Sequence, residues 1–413
     1  MAFQAYPYNG NLRSNEIFSA IYNMIISQQV FADNLKHNYS LVDKFKTDGS
    51  MYGDTKLYYA TDVLASAPWL NDSEASNLLS LARPKDPSCQ AVTISNFRQI
   101  RLTVDAYLSK RAWGTEGAYS QFTSVMEGWI GETKKMYEAR LFNVYVGGQQ
   151  TSTGKQLLNI DLRSASSGQP LYGLSGDEKN RVLAELVAEA LANLFDEVKD
   201  YSREYNDLGN MRSYDDNDLL VIWNLKWRNK IKKTSLVTMF HKEGLINKFD
   251  EEGLPASYFN INLTSTNIGD YAASTATTGK PLAGAASPYT YTPGTNNANG
   301  KVISLIEQDI TVSSTTYHLF PGDELPAGAS IATASLVTTA SEGEPASNKY
   351  AIVDGSVICK IIHKNAIPFM SAFSTATNFF NPRSLTQTHY LTWGYSDLTY
   401  LKNYPFITVK ATE

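Results

Sequence analysis

One stretch of the chain, Gln90 to Leu108, alternates apolar and polar residues for much longer than an ordinary strand does. Its apolar face is interrupted by Asn96 and Arg98 and consists of Val92, Ile94, Ile100, Leu102, Val104, Ala106 and Leu108. Alternation with a period of two indicates a β-strand with one covered face. Because strands usually have about five or six residues, this one predicts an extended hairpin. The hairpin itself offers no evident partner for that apolar face, so another surface is needed.

A long helix follows the strand. After Gly114, apolar residues recur at helical spacing from Tyr119 to Val144, and the pattern ends at Gly147-Gly148, residues typical of a helix C-terminus. The spacing predicts a helix over Thr115–Tyr145 with a length of roughly 45 Å.

Three further segments have helical or helix-adjacent patterns. Asn15–Leu35 has apolar residues at helical spacing. Ser175, with Glu178 three residues later, predicts a side-chain cap at the start of another helix. Leu219–Trp223 is a short apolar run and predicts a buried strand leading into a basic helix.

The remaining strand patterns lie in the last part of the chain. Residues from Pro255 to Asn348 are rich in Ser, Thr, Ala, Gly and Asn, which predicts a loop-rich β insertion. The predicted strands of this insertion and of the closing segment are Tyr258–Leu263, Val302–Val312, Tyr317–Phe320, Ala351–His363 and Gln387–Val409.

Composition narrows the class of protein. A net charge of −5 argues against a generic nucleic-acid binder, which is usually basic. The 25 Tyr among 413 residues favour surfaces that meet other protein, although a Tyr-rich monomer has the same composition. Cys89 and Cys359 cannot build a disulfide framework or a Cys-rich zinc site, which fits a reducing cytosol. No signal peptide and no membrane-spanning segment is predicted.

A search for catalytic chemistry nominates no catalytic, cofactor-binding or metal-binding residue. The segment Gly147 to Gln156 resembles a phosphate loop, but its first Gly is displaced and Gln156 stands where a Ser or Thr would bind magnesium. The five histidines are scattered singly, and Ser175 is not in a nucleophile elbow. Asp215, Asp216 and Asp218 lack the pattern of a calcium loop, so a solvated acidic turn is predicted.

One basic run is the candidate for contact with phosphate. It lies beside Trp223 and Trp227 and comprises Lys226, Arg228, Lys230, Lys232 and Lys233. Clustered Lys and Arg neutralise nucleic-acid backbone charge. A solvated or intersubunit salt-bridged helix face gives the same pattern, and the residues alone leave both interpretations open.

The order of these elements resembles the major capsid protein of tailed bacteriophages. The long strand running into a long helix resembles that family's extended loop and spine helix. Segment DDNDLLVIWNLKWRNKI resembles its axial-domain strand and helix, and THYLTWGYSDLTYLKNYPFITVKATE resembles its closing strands, with Pro405, Phe406, Ile407 and Val409 at the end. In its length and its loop-rich insertion the chain further resembles the capsid proteins of the small short-tailed podoviruses of Gram-positive hosts.

The resemblance implies an α+β, Hong Kong 97-like capsid fold. From this resemblance we predict an N-terminal arm and helix at residues 1–40, an extended β-hairpin loop at 41–113 and a peripheral domain with the spine helix at 114–175. An axial domain at 176–254, a Ser/Thr/Gly-rich β insertion at 255–349 and closing strands at 350–413 complete the chain. No cross-linking lysine and asparagine context is visible, so covalent cross-linking is not carried over.

The resemblance also implies partners and a location. Copies of the chain would form pentamers and hexamers of an icosahedral head enclosing double-stranded DNA, with weak non-specific DNA contact. Scaffolding protein, portal and other head proteins would be further partners, and assembly would take place in the host bacterial cytoplasm. The extended loop would contact the neighbouring subunit through Met51, Tyr52, Tyr58, Tyr59, Ile94, Phe97 and Arg98.

Two other classes of protein stay open at this stage. An encapsulin-like cellular nanocompartment shell resembles the same fold but encloses cargo enzymes. A phage tail component or adhesin would use the Ser/Thr-rich insertion to bind a surface. An enzyme ranks behind both, because no acid, base, nucleophile and oxyanion donor can be named together.

Overall fold

The computed structural model describes residues 40–49, 54–66, 68, 83–105, 116–151, 154–233, 250–264, 272–273, 281–282, 289–291, 301–332, 335–340 and 346–412. The helix predicted at Asn15–Leu35 lies outside these residues, as do Met51 and Tyr52. No described helix is both long enough and apolar enough to cross a membrane.

The chain divides into two compact units. The small unit comprises Met1–Asn38, Arg98–Met136 and Ser374–Trp393, and the large unit comprises Tyr39–Phe97, Tyr137–Phe373 and Gly394–Glu413. The six segments predicted from the family resemblance are not tested by this division and stay a prediction.

The described helices are α1 (Val42–Phe45), α2 (Glu116–Gly148), α3 (Gly176–Lys199) and α4 (Leu225–Lys233). Helix α2 confirms the predicted long helix and continues to Gly148, beyond the expected end at Tyr145. Helix α4 confirms that a helix follows the apolar run at Leu219.

The described strands follow in chain order. They are β1 (Lys46–Asp48), β2 (Thr55–Ala60), β3 (Ser88–Asp105), β4 (Leu157–Asp161), β5 (Leu219–Asn224), β6 (Asp250–Leu254), β7 (Asn260–Asn262), β8 (Ala272–Ala273), β9 (Pro281–Leu282), β10 (Tyr289–Tyr291), β11 (Val302–Ser304), β12 (Gln308–Val312), β13 (Thr315–Leu319), β14 (Ala329–Ile331), β15 (Tyr350–Val353), β16 (Val357–His363), β17 (Phe369–Asn381), β18 (Thr386–Ser396) and β19 (Phe406–Thr412).

The long strand predicted from the alternation is confirmed. Strand β3 runs for 18 residues and belongs to a five-stranded sheet of order β1-β17-β18-β3-β2. Within the large unit, β2 pairs antiparallel with the first part of β3, from Thr55 opposite Thr93 to Ala60 opposite Ser88. Within the small unit, Thr103 and Thr388 hydroxyls lie 3.1 Å apart, and Gln99 donates to the Thr392 hydroxyl at 3.0 Å.

The core of the large unit lies on a second five-stranded sheet of order β4-β19-β16-β5-β6. All seven residues of β16 are buried, and Ile358, Cys359 and Ile361 among them pack into the main apolar cluster of this unit. Helix α3 contributes an apolar stripe to this core, consisting of Leu183, Ala184, Val187, Leu191, Leu194, Phe195 and Val198. This burial explains why the closing segment is so rich in aromatic and β-branched residues.

The segment predicted as an insertion has its own apolar cluster in the large unit. Strand β15 lies between β7 and β11, and β12 forms a hairpin with β13. Its buried residues are Leu263, Val302, Leu319, Leu325, Ala329, Ile331, Leu336, Tyr350 and Ile352. The single strand predicted over Val302–Val312 is wrong, because the Ser304 hydroxyl donates to the Ile306 carbonyl at 2.7 Å in a turn between β11 and β12.

Two predictions about helix α3 and its surroundings are also wrong. The Ser175 side chain makes no capping hydrogen bond. The next residue, Gly176, has a φ of +58°, so the first residue of the helix lacks the backbone geometry of an ordinary capped N-terminus. The predicted solvated acidic turn is confirmed for Asp215 and Asp218, which are exposed, and is wrong for Asp216, which is buried with its carboxylate 2.5 Å from the Lys199 ammonium group.

The glycine pair at the end of α2 permits close packing as well as helix termination. A Cβ added to Gly147 would lie 2.0 Å from the Tyr258 carbonyl oxygen, and one added to Gly148 would lie 2.5 Å from the Asn260 side chain. Asn260 donates to the carbonyls of Val144 at 3.2 Å and Tyr258 at 2.6 Å. The end of α2 is therefore hydrogen-bonded to Asn260 at the start of β7.

Candidate functional site

The predicted extended loop is an antiparallel hairpin of β2 and β3 whose two faces differ. Even-numbered residues of β2 are half-buried, and odd-numbered residues are exposed. Across the hairpin Leu57 lies opposite Ala91 and Tyr59 opposite Cys89. We call these four exposed residues the outer face of the hairpin.

The inner face of the hairpin belongs to the core of the large unit. Val92 and Ile94 are each 1% exposed and form a cluster with Met370, Ala372 and Leu401. The prediction that Ile94 contacts a neighbouring subunit is therefore wrong, because its side chain is already covered by its own chain. The missing partner of this apolar face is supplied by β17 and the segment after β18.

Two aromatic residues of the predicted contact set also face inward. Tyr58 and Phe97 pack against the same cluster. Burial, and then the nearby Tyr404 hydroxyl, raise the pKa of Tyr58. The Phe97 ring lies close over Gly394, where an added Cβ would be 2.7 Å from a ring carbon. Arg98 is half-buried, in the small unit.

The outer face exposes an unusual amount of apolar surface. Leu57 is 53% exposed and Tyr59 64% exposed, and just beyond β2 Val63 is 55% and Leu64 76% exposed. The outer face itself carries no charged residue. Exposed apolar side chains are common on surfaces that meet another protein. Of the predicted contact residues, Tyr59 is exposed here, beside Leu57, which sequence reasoning had not singled out. Contact of this face with a neighbouring subunit stays a prediction.

The end of β2 is fastened to the loop after α3. The Asp62 carboxylate accepts hydrogen bonds from the Met211 amide at 3.0 Å and from Arg203 at 2.5 Å, and Arg212 donates to the Thr61 carbonyl. The Met211 amide, followed by the Arg203 guanidinium, lowers the pKa of Asp62 to about 2. These contacts join residues about 140 positions apart in sequence, so no local pattern could have revealed them.

A second attachment lies at the start of β3. Gln90 donates to the Tyr400 carbonyl at 2.7 Å and accepts from the Lys402 amide at 3.0 Å. Between the two attachments is a cavity of about 480 Å³, lined in part by Tyr58, Ser88, Leu208 and Asn403. Its walls hold no set of acid, base and nucleophile, and no three His, Cys, Asp or Glu side chains among the described residues are grouped to hold a metal ion.

The predicted basic face lies on α4. Lys226 and Lys230 are exposed, and the Lys230 ammonium group lies 4.8 Å from the centre of the Trp227 ring. Arg228 instead donates to Glu251 of the same chain at 3.2 Å. Both interpretations of this face, contact with phosphate and intersubunit salt bridges, stay predictions. Lys232 and Lys233 belong to the same helix.

The segment resembling a phosphate loop is structural. Gln156 is fully buried, donates to Asp207 at 2.6 Å and accepts from the Phe406 amide at 3.0 Å. The Gln149 carbonyl accepts from Lys360, a fully buried lysine of β16 whose burial lowers its pKa well below the usual value. These bonds join the end of α2 to the central sheet, and sequence reasoning had not singled out Lys360.

The structure combines a long strand (β3), a long helix (α2), a buried mixed sheet and a loop-rich β segment. This combination is the Hong Kong 97-like fold of tailed-phage capsid subunits. A chain from the capsid structure of Staphylococcus phage Andhra has a TM-score of 0.55 at 12% sequence identity, with 93% of this chain and 87% of that chain covered. A chain from the structure of the head fiber and inner core protein gp22 of native bacteriophage P68 has a TM-score of 0.51 at 12% identity, with 92% and 88% covered.

At this level of identity the likeness establishes the fold and not the family. No protein-family model and no curated protein matches the sequence. The prediction of an α+β, Hong Kong 97-like fold is confirmed.

Proposed function

We propose that this chain is the major capsid protein of a tailed bacteriophage, a self-assembling structural subunit of an icosahedral head that encloses double-stranded DNA. The observation that carries the proposal is the fold, which matches a Staphylococcus phage capsid structure over 93% of this chain. The comparisons do not favour a cellular nanocompartment or a tail adhesin. The proposal includes pentamers and hexamers, assembly in the host bacterial cytoplasm and a short-tailed podovirus as the source.

The exposed apolar surface of the hairpin supports self-assembly. Leu57 and Tyr59 on the outer face lose contact with water when a neighbour covers them, which contributes about 25 cal/mol per Å² of apolar surface. We propose that this face, with Met51, Tyr52 and Arg98 of the predicted set, contacts the adjacent subunit. The inner face of the hairpin packs against the core of the large unit through Ile94, Tyr58 and Phe97.

The first experiment tests shell formation and the outer face together. Expressed protein is examined by electron microscopy, and wild type is expected to give closed particles of uniform size. The double variant Leu57→Asp, Tyr59→Asp should stay soluble and folded by circular dichroism but give no particles, because carboxylates cannot be buried unpaired. Tyr172→Asp is the matched control, since Tyr172 is 51% exposed in the turn before α3. Soluble trimers in place of shells would favour the adhesin.

Contact with packaged DNA is proposed to be weak and non-specific, through Lys226, Arg228, Lys230, Lys232 and Lys233. Lys226 and Lys230 carry most of it, since Arg228 is paired with Glu251. A Lys226→Glu, Lys230→Glu variant should form particles and show a weaker salt dependence of DNA binding. Sequence preference in a gel-shift assay would contradict this part. Scaffolding protein, portal and other head proteins are proposed as further partners.

A further inference from the structure

Strand β17 has an edge that no described strand covers over most of its length. Only its first three residues, Phe369–Ser371, pair with β1; beyond Ser371, β18 is its neighbour in the described part of the sheet. Residues 374–380 are all exposed, and Phe379 and Phe380 are 59% and 51% exposed. Adjacent residues of a strand point to opposite faces, so this part of β17 is uncovered on both faces as well as along the edge.

The uncovered edge lacks the usual protection against pairing. Natural edge strands carry charged residues, especially lysine, or proline, which prevent another strand from adding to them. The residues from Ala372 to Asn381 include no charged residue and no proline. Thr375 and Thr377 are β-branched and Phe379 and Phe380 aromatic, and such residues favour strand pairing. An edge of this composition indicates a strand that another strand covers in the assembled protein.

The turn beyond β17 gives an independent indication. Leu385 has a φ of +53°, a left-handed conformation that suits glycine or asparagine and costs leucine about 1 kcal/mol. Its side chain is nevertheless 43% exposed, so the chain itself gains little from an apolar residue there. The turn is fixed by the Arg383 amide donating to Asn381 at 3.0 Å and by Ser384 and Thr386 hydroxyls 2.7 Å apart. An exposed leucine in this turn adds to the apolar surface beside the edge of β17.

We propose that this edge of β17 pairs with the same edge of a second copy of the chain, antiparallel about a two-fold axis at Thr377. The proposal rests on the proposed shell function and adds a second type of contact, distinct from the outer face of the hairpin. Thr377 is the middle residue of the exposed stretch 374–380, so this register covers the whole stretch in both copies.

The sequence of the edge is complementary to itself in this register. Phe379 lies opposite Thr375 of the second copy, and Phe380 opposite Ser374. Each bulky ring therefore meets a small side chain on the same face, and each copy supplies both halves of the match. No like charges meet, because the edge has none.

The test places charges on the two-fold axis. Thr377→Lys alone and Thr377→Glu alone should each abolish the contact, because two like charges would stand directly opposite one another. Co-expression of the two variants should restore particles, because lysine then faces glutamate. Thr315→Lys is the matched control, an exposed strand threonine on β13 that should leave particles unchanged. Particle yield is measured by sedimentation and electron microscopy.

A cysteine variant provides a direct readout of the pairing. Thr377→Cys should convert most chains in assembled particles to disulfide-linked dimers, since directly opposed Cβ atoms are close enough for a disulfide. Wild type, which contains exposed Cys89 and buried Cys359, and Thr315→Cys should give none, and mass spectrometry of peptides identifies the linked position.

The outcomes separate this proposal from the proposed function. Particles whose Thr377→Cys chains stay monomeric, or normal particles from Thr377→Lys, would overturn the edge pairing and leave the shell function intact. Failure of both single variants without rescue by co-expression would show that a different surface covers the edge, which also overturns it. A wild-type chain that never forms particles would refute the shell function.

Discussion

Replacing Gly147 with alanine tests how closely the end of α2 approaches its neighbours. The added methyl group would lie 2.0 Å from the Tyr258 carbonyl oxygen, well inside van der Waals contact, and the obstacle is backbone. Relief requires Tyr258 to move and so strains the hydrogen bond that its carbonyl accepts from Asn260 at 2.6 Å. Gly131 lies on the same helix with nothing within 4 Å of its added Cβ, and it is the matched control.

The two alanines should have opposite effects. Alanine in a helix interior is favoured over glycine by about 1 kcal/mol, and Gly131→Ala should show that gain. For Gly147→Ala, overpacking costs about 3 kcal/mol and the strained hydrogen bond about 1 kcal/mol. After the same helix gain, a net loss of about 3 kcal/mol is expected, which places the two variants about 4 kcal/mol apart.

Urea titration followed by circular dichroism measures the difference, with both variants kept below the concentration at which particles form. The Gly147→Ala midpoint should fall and the Gly131→Ala midpoint should rise. If Gly147→Ala unfolds at the wild-type urea concentration or above it, the close approach of the helix end to Tyr258 is refuted.

Three further predictions follow from single contacts. Ile94→Ala should lower the free energy of unfolding by about 3 kcal/mol because it leaves a cavity. Leu57→Ala on the outer face should change it by less than about 0.5 kcal/mol. Equal effects of the two substitutions in urea titrations would contradict the assignment of Ile94 to the inner face and Leu57 to the outer face. A hydrogen bond to Asp309 raises the pKa of His318. The protonated imidazole should therefore stabilise the fold by about 0.5 kcal/mol, a value typical of so exposed a pair. His318→Gln should lower the free energy of unfolding by this amount at pH 5, and the difference from wild type should vanish as pH rises through the raised pKa. The pKa of Asp62 is lowered to about 2. Wild type should therefore unfold at a higher temperature than Asp62→Asn at pH 5, and this difference in Tm should disappear as pH falls toward about 2. A difference in Tm that is unchanged at pH 2 would exclude the ionised carboxylate as its source.

Local patterns were sufficient for the longest elements. The alternation in β3 and the apolar spacing in α2 each extend over many residues, so misassigned single positions do not change the result. Short elements were less well predicted. The break between β11 and β12 depends on one serine hydroxyl, and the missing cap at Ser175 depends on the backbone angle of the next residue.

The candidate site was predicted in outline but not in detail. The alternation separates the two faces of β3, but it does not say which face of the hairpin its own chain covers. Ile94 was assigned to a neighbour for that reason, and Leu57 was missed. Asp62 and Lys360 escaped notice because their partners are distant in sequence, and a lone charged residue carries no local signal of burial or pairing.

The sequence by itself determined the order and period of the elements, and through that order the α+β class, because helix and strand periodicities are properties of neighbouring residues. Tertiary structure decided which apolar surfaces are buried and which stay exposed. The inner face of the long hairpin is covered by β17 and the segment after β18, whereas the described residues leave the outer face and most of one edge of β17 exposed. Exposure depends on all long-range packing, so the two surfaces proposed for contact between copies could be chosen only from the complete fold.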